Sequence, residues 1–186
     1  MSPQRVVSSP EASCHIFTYK EGLLSSVAHD LKLVVENCSI QPASVPSAEP
    51  REPAIAAITA TFDARSIRVV CAQRDGHDQP SALSADNRAE IERHIQRDVL
   101  HTDRFPEVRF VTTKVTGNTD FYDIVGELTL HGQRRTIATQ VRKQADRWVC
   151  EVRLNQPDFG IKPFSAAFGT LRVKPELLVQ LSLPLT

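Results

Sequence analysis

The chain has 186 residues, 22 basic and 22 acidic side chains, and 41% hydrophobic residues. That length suits one globular domain, and the charge balance argues against a bulk binder of nucleic acid or anionic membrane. No apolar run approaches the ~18 residues that a membrane-spanning helix requires, so stable membrane insertion is not expected.

Residues 1–12 are polar and rich in Pro and Ser, and are expected to form a loose tail ahead of a single domain over residues 13–186. No apolar stretch of the secretory kind follows Arg5, so the expectation is a cytoplasmic protein with reduced thiols. Cys14, Cys38, Cys71 and Cys150 lack the close spacing of a zinc knuckle or a redox Cys-x-x-Cys. Cys38, Cys71 and Cys150 fall in apolar, strand-like segments, where a free cysteine acts as a small buried hydrophobe.

From His29 onward the dominant period is two. His29, Leu31, Leu33 and Val35 form one face of a first strand, and Ala56, Ile58, Ala60 and Phe62 one face of the next. Between them Gln41–Pro53 carries four prolines and reads as a long surface connection. Arg74–Ser81 is dense in turn residues and reads as a loop. Ser84–Leu100 breaks the pattern. Ser84 suits an N-cap, and Ile91, Ile95 and Val99 recur every four residues, so an amphipathic helix over about 85–100 is predicted outside the β structure or plugging one end of it.

Alternation then returns. The inward sets are Val108, Phe110 and Thr112; Ile124, Gly126, Leu128 and Leu130; Trp148, Cys150, Val152 and Leu154; and finally Val179, Leu181 and Leu183. Strands with one apolar and one polar face cover a core on one side only, and seven or eight of them in series read as an antiparallel sandwich or barrel.

Signs of catalysis are thin. Asp158-Phe159-Gly160 matches a kinase tripeptide, but no glycine-rich phosphate loop or catalytic loop accompanies it. There is no nucleophile elbow, no H-E-x-x-H and no P-loop. The six histidines have no spacing that would converge them on a metal, so neither a metal nor another cofactor is expected. His77, with Asp75 and Asp78, reads as a solvated loop, while His94 and His101 are placed on the helix surface and at its exit. His29 differs, because alternation points it inward with Leu31, Leu33 and Val35. It is either a core histidine or a polar anchor in an apolar cavity.

Five stretches in order carry a family resemblance: Gly22-Leu-Leu-Ser-Ser-Val27, Phe62-Asp-Ala-Arg-Ser-Ile67, Asp103-Arg-Phe-Pro-Glu-Val-Arg-Phe110, Val125-Gly-Glu-Leu-Thr-Leu-His-Gly132 and Asp158-Phe-Gly-Ile161. Together they resemble the YceI-like proteins from about His15 to Leu183. The resemblance implies a single antiparallel eight-stranded lipocalin-like β-barrel, all-β with one helix, that encloses a polyisoprenoid chain. On that basis the expected function is non-enzymatic binding, carriage or storage of an isoprenoid, such as an isoprenoid quinone, or a similar lipid. The rival readings are a protein-interaction module whose barrel fills itself, and an enzyme on an isoprenoid with His29 as acid or base. The expected ligand wall is Leu31, Leu33, Phe110, Leu128, Leu130, Trp148, Val152, Phe159 and Phe164, with a polar group at the mouth from His29 or Lys162. The expected partner is thus a hydrophobic small molecule, and homodimerisation stays open.

Overall fold

The computed structural model describes residues 12–21, 29–44 and 55–184. The tail at 1–11 and the Gly22–Val27 stretch lie outside the described residues, as does 45–54 of the proline-rich segment. The strands are β1 (Ser13–Glu21), β2 (Asp30–Val35), β3 (Cys38–Ser44), β4 (Ile55–Asp63), β5 (Ile67–Arg74) and β6 (His77–Gln79), then β7 (Glu107–Gly117), β8 (Phe121–Leu130), β9 (Gln133–Gln144), β10 (Arg147–Asn155), β11 (Ser165–Ala166) and β12 (Leu171–Pro184). Helix α1 spans Ala85–His94 and runs on as a wider π-turn over Ile95–Val99.

All twelve strands belong to one antiparallel sheet in the order β3-β4-β7-β8-β9-β10-β12-β1-β2-β5-β6, with β11 paired to β12. The expected count of eight is therefore corrected, and the reason is a corner. β2 runs on into β3 and β4 into β5, and the two bends are tied by Glu36 N–H to Ser66 O at 3.2 Å and Asp63 N–H to Asn37 O at 2.9 Å. If each bent pair counts as one strand and the short β6 and β11 are set aside, eight long strands remain, and their pairings run in a ring. A corner leaves the period-two pattern intact, so alternation alone does not reveal it.

Two further corrections concern loops. Asp75 and Gly76 both have positive φ (52° and 79°) and close a tight hairpin between β5 and β6, where the sequence suggested only a loop. Strand β3 extends through Gln41–Ser44 against β4, so the proline-rich connection is shorter than Gln41–Pro53.

Ser84 caps α1 as predicted, its Oγ accepting from Asn87 N–H at 3.1 Å. The helix lays Ile91 and Ile95 on a cluster built from Leu33, Val35, Ile67, Val69 and Leu83. Leu100, just past the π-turn, packs on that cluster and also on a second one of Leu128, Phe159 and Ile161. Between β9 and β10 the ladder stops at Val141 and Cys150. Beyond that point Phe159 and Ile161, both almost fully buried, pack against Ile137 of β9 and Leu154 of β10. The Asp158-Phe159-Gly160 tripeptide is thus a structural wedge. Asp158 accepts from the Asn155 amide at 2.8 Å, Phe159 is 2% exposed, and Gly160 takes the left-handed conformation (φ 67°) that ends the turn.

Candidate functional site: an apolar lumen with a polar mouth

The inward faces of the strands enclose a cavity of about 470 Å³. That lies within the roughly 300–1,000 Å³ typical of ligand pockets. Its wall draws on β1 to β5, β7 to β10 and β12, with Ile91, Ile95, Val99 and Leu100 from the helical segment. Thr18, Lys20, His29, His94, Thr139, Gln156 and Arg172 are the polar side chains in a lining otherwise made of hydrocarbon, aromatic rings and two cysteines.

Of the expected ligand wall, Leu31, Leu33, Phe110, Leu128, Leu130, Val152, Phe159 and Phe164 all border the cavity, and so does His29. Trp148 does not. It lies at the start of β10, half-buried, with its ring tilted 55° against that of Tyr122 at 5.2 Å between centroids. Lys162 does not either. It is exposed, next to the buried Ile161. The cationic groups that do reach the lining are Lys20 and Arg172, and neither figured among the sequence candidates. Lys20 continues the inward parity of Cys14, Ile16 and Thr18 along β1, so strand periodicity could have found it.

The mouth is built where β1 ends, β2 begins and β12 begins. Lys20 stands opposite Val173 and Glu21 opposite Arg172 in the β1–β12 ladder. Asp30 Oδ1 accepts from Lys20 N–H at 2.8 Å, joining the start of β2 to the end of β1 next to His29. His94, expected on the helix surface, faces the cavity instead. Its ring lies 5.3 Å from that of Phe164, and its Nδ1 is 2.6 Å from Asp98 Oδ2. Arg97 and His94 hold the Asp98 carboxyl well below the usual carboxylate range. His101 sits at the helix exit as read, exposed and with φ 47°.

Two glycines shape the wall. At Gly126 an added Cβ would lie 2.5 Å from both the Phe110 ring and the Val111 backbone oxygen, so the ring and strand β7 can come this close only because that position has no side chain. Gly132 (φ 73°) completes the β8–β9 turn, where its Cα faces the Phe105 ring.

All four cysteines are free. Cys14 and Cys150 line the cavity and Cys71 is buried, but Cys38 is only half-buried, contrary to expectation. Burial pushes the Cys14 thiol up to about 12, with Cys38 nearby adding to the effect, and burial raises Cys150 as well. Such thiols are poor nucleophiles. Among the described residues no three His, Cys, Asp or Glu side chains converge as metal ligands.

Residues 10–185 match the YceI-like domain. The chain belongs to that family. Among solved structures, this YceI-like chain is similar to BcnA of Burkholderia cenocepacia, at 12% identity and a TM-score of 0.61 over 92% of this chain and 94% of that one. It is also similar to the YCEI protein of Campylobacter jejuni, at 16% identity and a TM-score of 0.50 over 72% and 73% of the two chains. At these identities the likeness is one of fold. No curated protein matches the sequence.

Proposed function

We propose that this YceI-like barrel binds a long isoprenoid or similar hydrocarbon chain in its lumen and carries or stores it without chemical change. The observation that supports the reading is the lumen itself, about 470 Å³ of space walled almost entirely by apolar side chains. Burying hydrocarbon there contributes about 0.8 kcal/mol per methylene equivalent, so several isoprene units would bind tightly with no ionic contact. Lys20, His29 and Arg172 at one end would meet the polar end of such a molecule, and cavity length would select its size. Family membership adds weight to a lipid-binding role.

Calorimetric titration of delipidated protein with a long-chain isoprenoid tests the proposal. Saturable binding of one molecule per barrel with a negative heat-capacity change is expected, because apolar surface leaves water. Absence of saturable binding to any long isoprenoid or fatty chain would overturn it.

A further inference from the structure

We infer that the turn between β11 and β12 is a membrane-docking tip that brings the mouth of the barrel to a lipid surface. The inference rests on the proposal that the lumen holds hydrocarbon, since such cargo must be collected from or given up to lipid. Phe168 is the large hydrophobic side chain that stands fully exposed among the described residues, at 110% of its reference area. It is held there by a left-handed backbone (φ 54°, ψ 33°), a conformation that a bulky L residue rarely adopts. A ring forced outward by the chain's own geometry points to a use for its exposure.

The turn is also in the right place. Ser165 and Ala166 pair with Arg172 and Leu171, so Phe168 caps a short hairpin rooted at the mouth. Phe164, Leu171 and Arg172 all border the lumen, and Phe164 O accepts from Val173 N–H at 3.0 Å, fixing the hairpin to the wall. Lys162, Arg172 and Lys174 are exposed around its base. Carboxylates lie near it too: Glu21, 4.0 Å from Arg172; Asp30, which accepts from Lys20 N–H; Asp98, hydrogen-bonded to His94 beside Phe164; and Glu176 farther along β12.

One aromatic on a narrow tip is far smaller than the roughly 800 Å² per partner that a stable protein interface buries. Membrane–water boundaries, in contrast, are where aromatic side chains and long cationic ones are enriched, the ring among lipid and the charges at the headgroups. The fitting partner is therefore a bilayer surface.

Co-sedimentation with phosphatidylcholine vesicles containing phosphatidylglycerol tests this, using wild type, Phe168→Ser and Phe168→Trp. Wild type should partition to the vesicles, and Phe168→Ser should partition about tenfold more weakly, as expected for loss of one buried aromatic. Phe168→Trp should restore partitioning. Isoprenoid titration in vesicle-free solution should be the same for wild type and Phe168→Ser, which separates docking from filling of the lumen. Equal partitioning of wild type and Phe168→Ser, or no partitioning of wild type, would overturn the inference even if the lumen binds isoprenoid. So would a loss, in Phe168→Ser, of a complex with a soluble protein rather than of vesicle binding.

Discussion

The wall made by β1, β2 and β5 and the wall made by β7 to β10 carry the same alternation but use their inward side chains differently. In the first, Leu33, Val35, Ile67 and Val69 are buried under the helix, which supplies Ile91 and Ile95 as a second layer. In the second, Val108, Phe110, Leu130, Ile137 and Leu154 are only half-buried, although each packs on the Leu128–Phe159–Ile161 cluster. All five also line the lumen. Leu33, Val35 and Ile67 border the lumen as well, so the walls differ not in facing space but in how much packing each side chain has from the helix behind it. Removing methylenes from either enlarges the lumen, but the first wall forfeits more contacts in doing so.

The largest expected effect comes from the packed wall. Leu33→Ala should cost about 2–5 kcal/mol, measured by denaturant unfolding. Gly126→Val comes next and attacks the lumen wall by overfilling. Its side chain would meet both the Phe110 ring and the backbone oxygen of Val111, so a loss toward the upper end of about 1–3 kcal/mol and a smaller bound ligand are expected. Ile137→Ala, on the lumen side, should cost only about 1 kcal/mol in stability, because its side chain forfeits fewer contacts. Its larger effect should be on isoprenoid affinity, read by titration. Equal losses for Leu33→Ala and Ile137→Ala would erase the distinction between the two walls.

The smallest expected effect is a pH dependence shared by the walls. Burial lowers the pKa of His15 on β1, helped by Lys32 and opposed by Asp78. Burial likewise lowers that of His131 at the β8–β9 turn, where a hydrogen bond to Phe159 O opposes the shift. Each folded-state pKa thus lies below the unfolded value of about 6.5. As pH falls through that value the unfolded chain takes up protons first, so stability should decline on acidification and be fully present at higher pH. His131→Asn, which suits the left-handed φ of 50° at this position, should flatten the decline in thermal unfolding between about pH 7 and 5.

Much of this was legible because period and chemistry coincide. Alternation placed His29, Leu31 and Leu33 on the lumen face, and the four-residue spacing of Ile91, Ile95 and Val99 found the stripe that covers it. Trp148 misled because parity gives the face of a strand but not how far along it the cavity reaches. It shares the parity of Cys150 and Val152 yet meets Tyr122 instead. Lys162 misled because irregular chain has no period, and the residues on either side of it do not fix its direction. His94 was missed because it lies three residues past Ile91, near enough to the stripe to turn inward, while its polarity suggested solvent. Phe168 had no signal at all, since a left-handed aromatic breaks the rules by which turns are read.

Native mass spectrometry of the protein, gently purified from cells, compared with the same measurement on Gly126→Val, tests the open lumen most directly. Wild type should carry one apolar molecule of isoprenoid or fatty-chain mass, and the narrowed variant a smaller one or none. Wild type that is always bare, and that takes up no long hydrocarbon when one is offered, would contradict an open lumen.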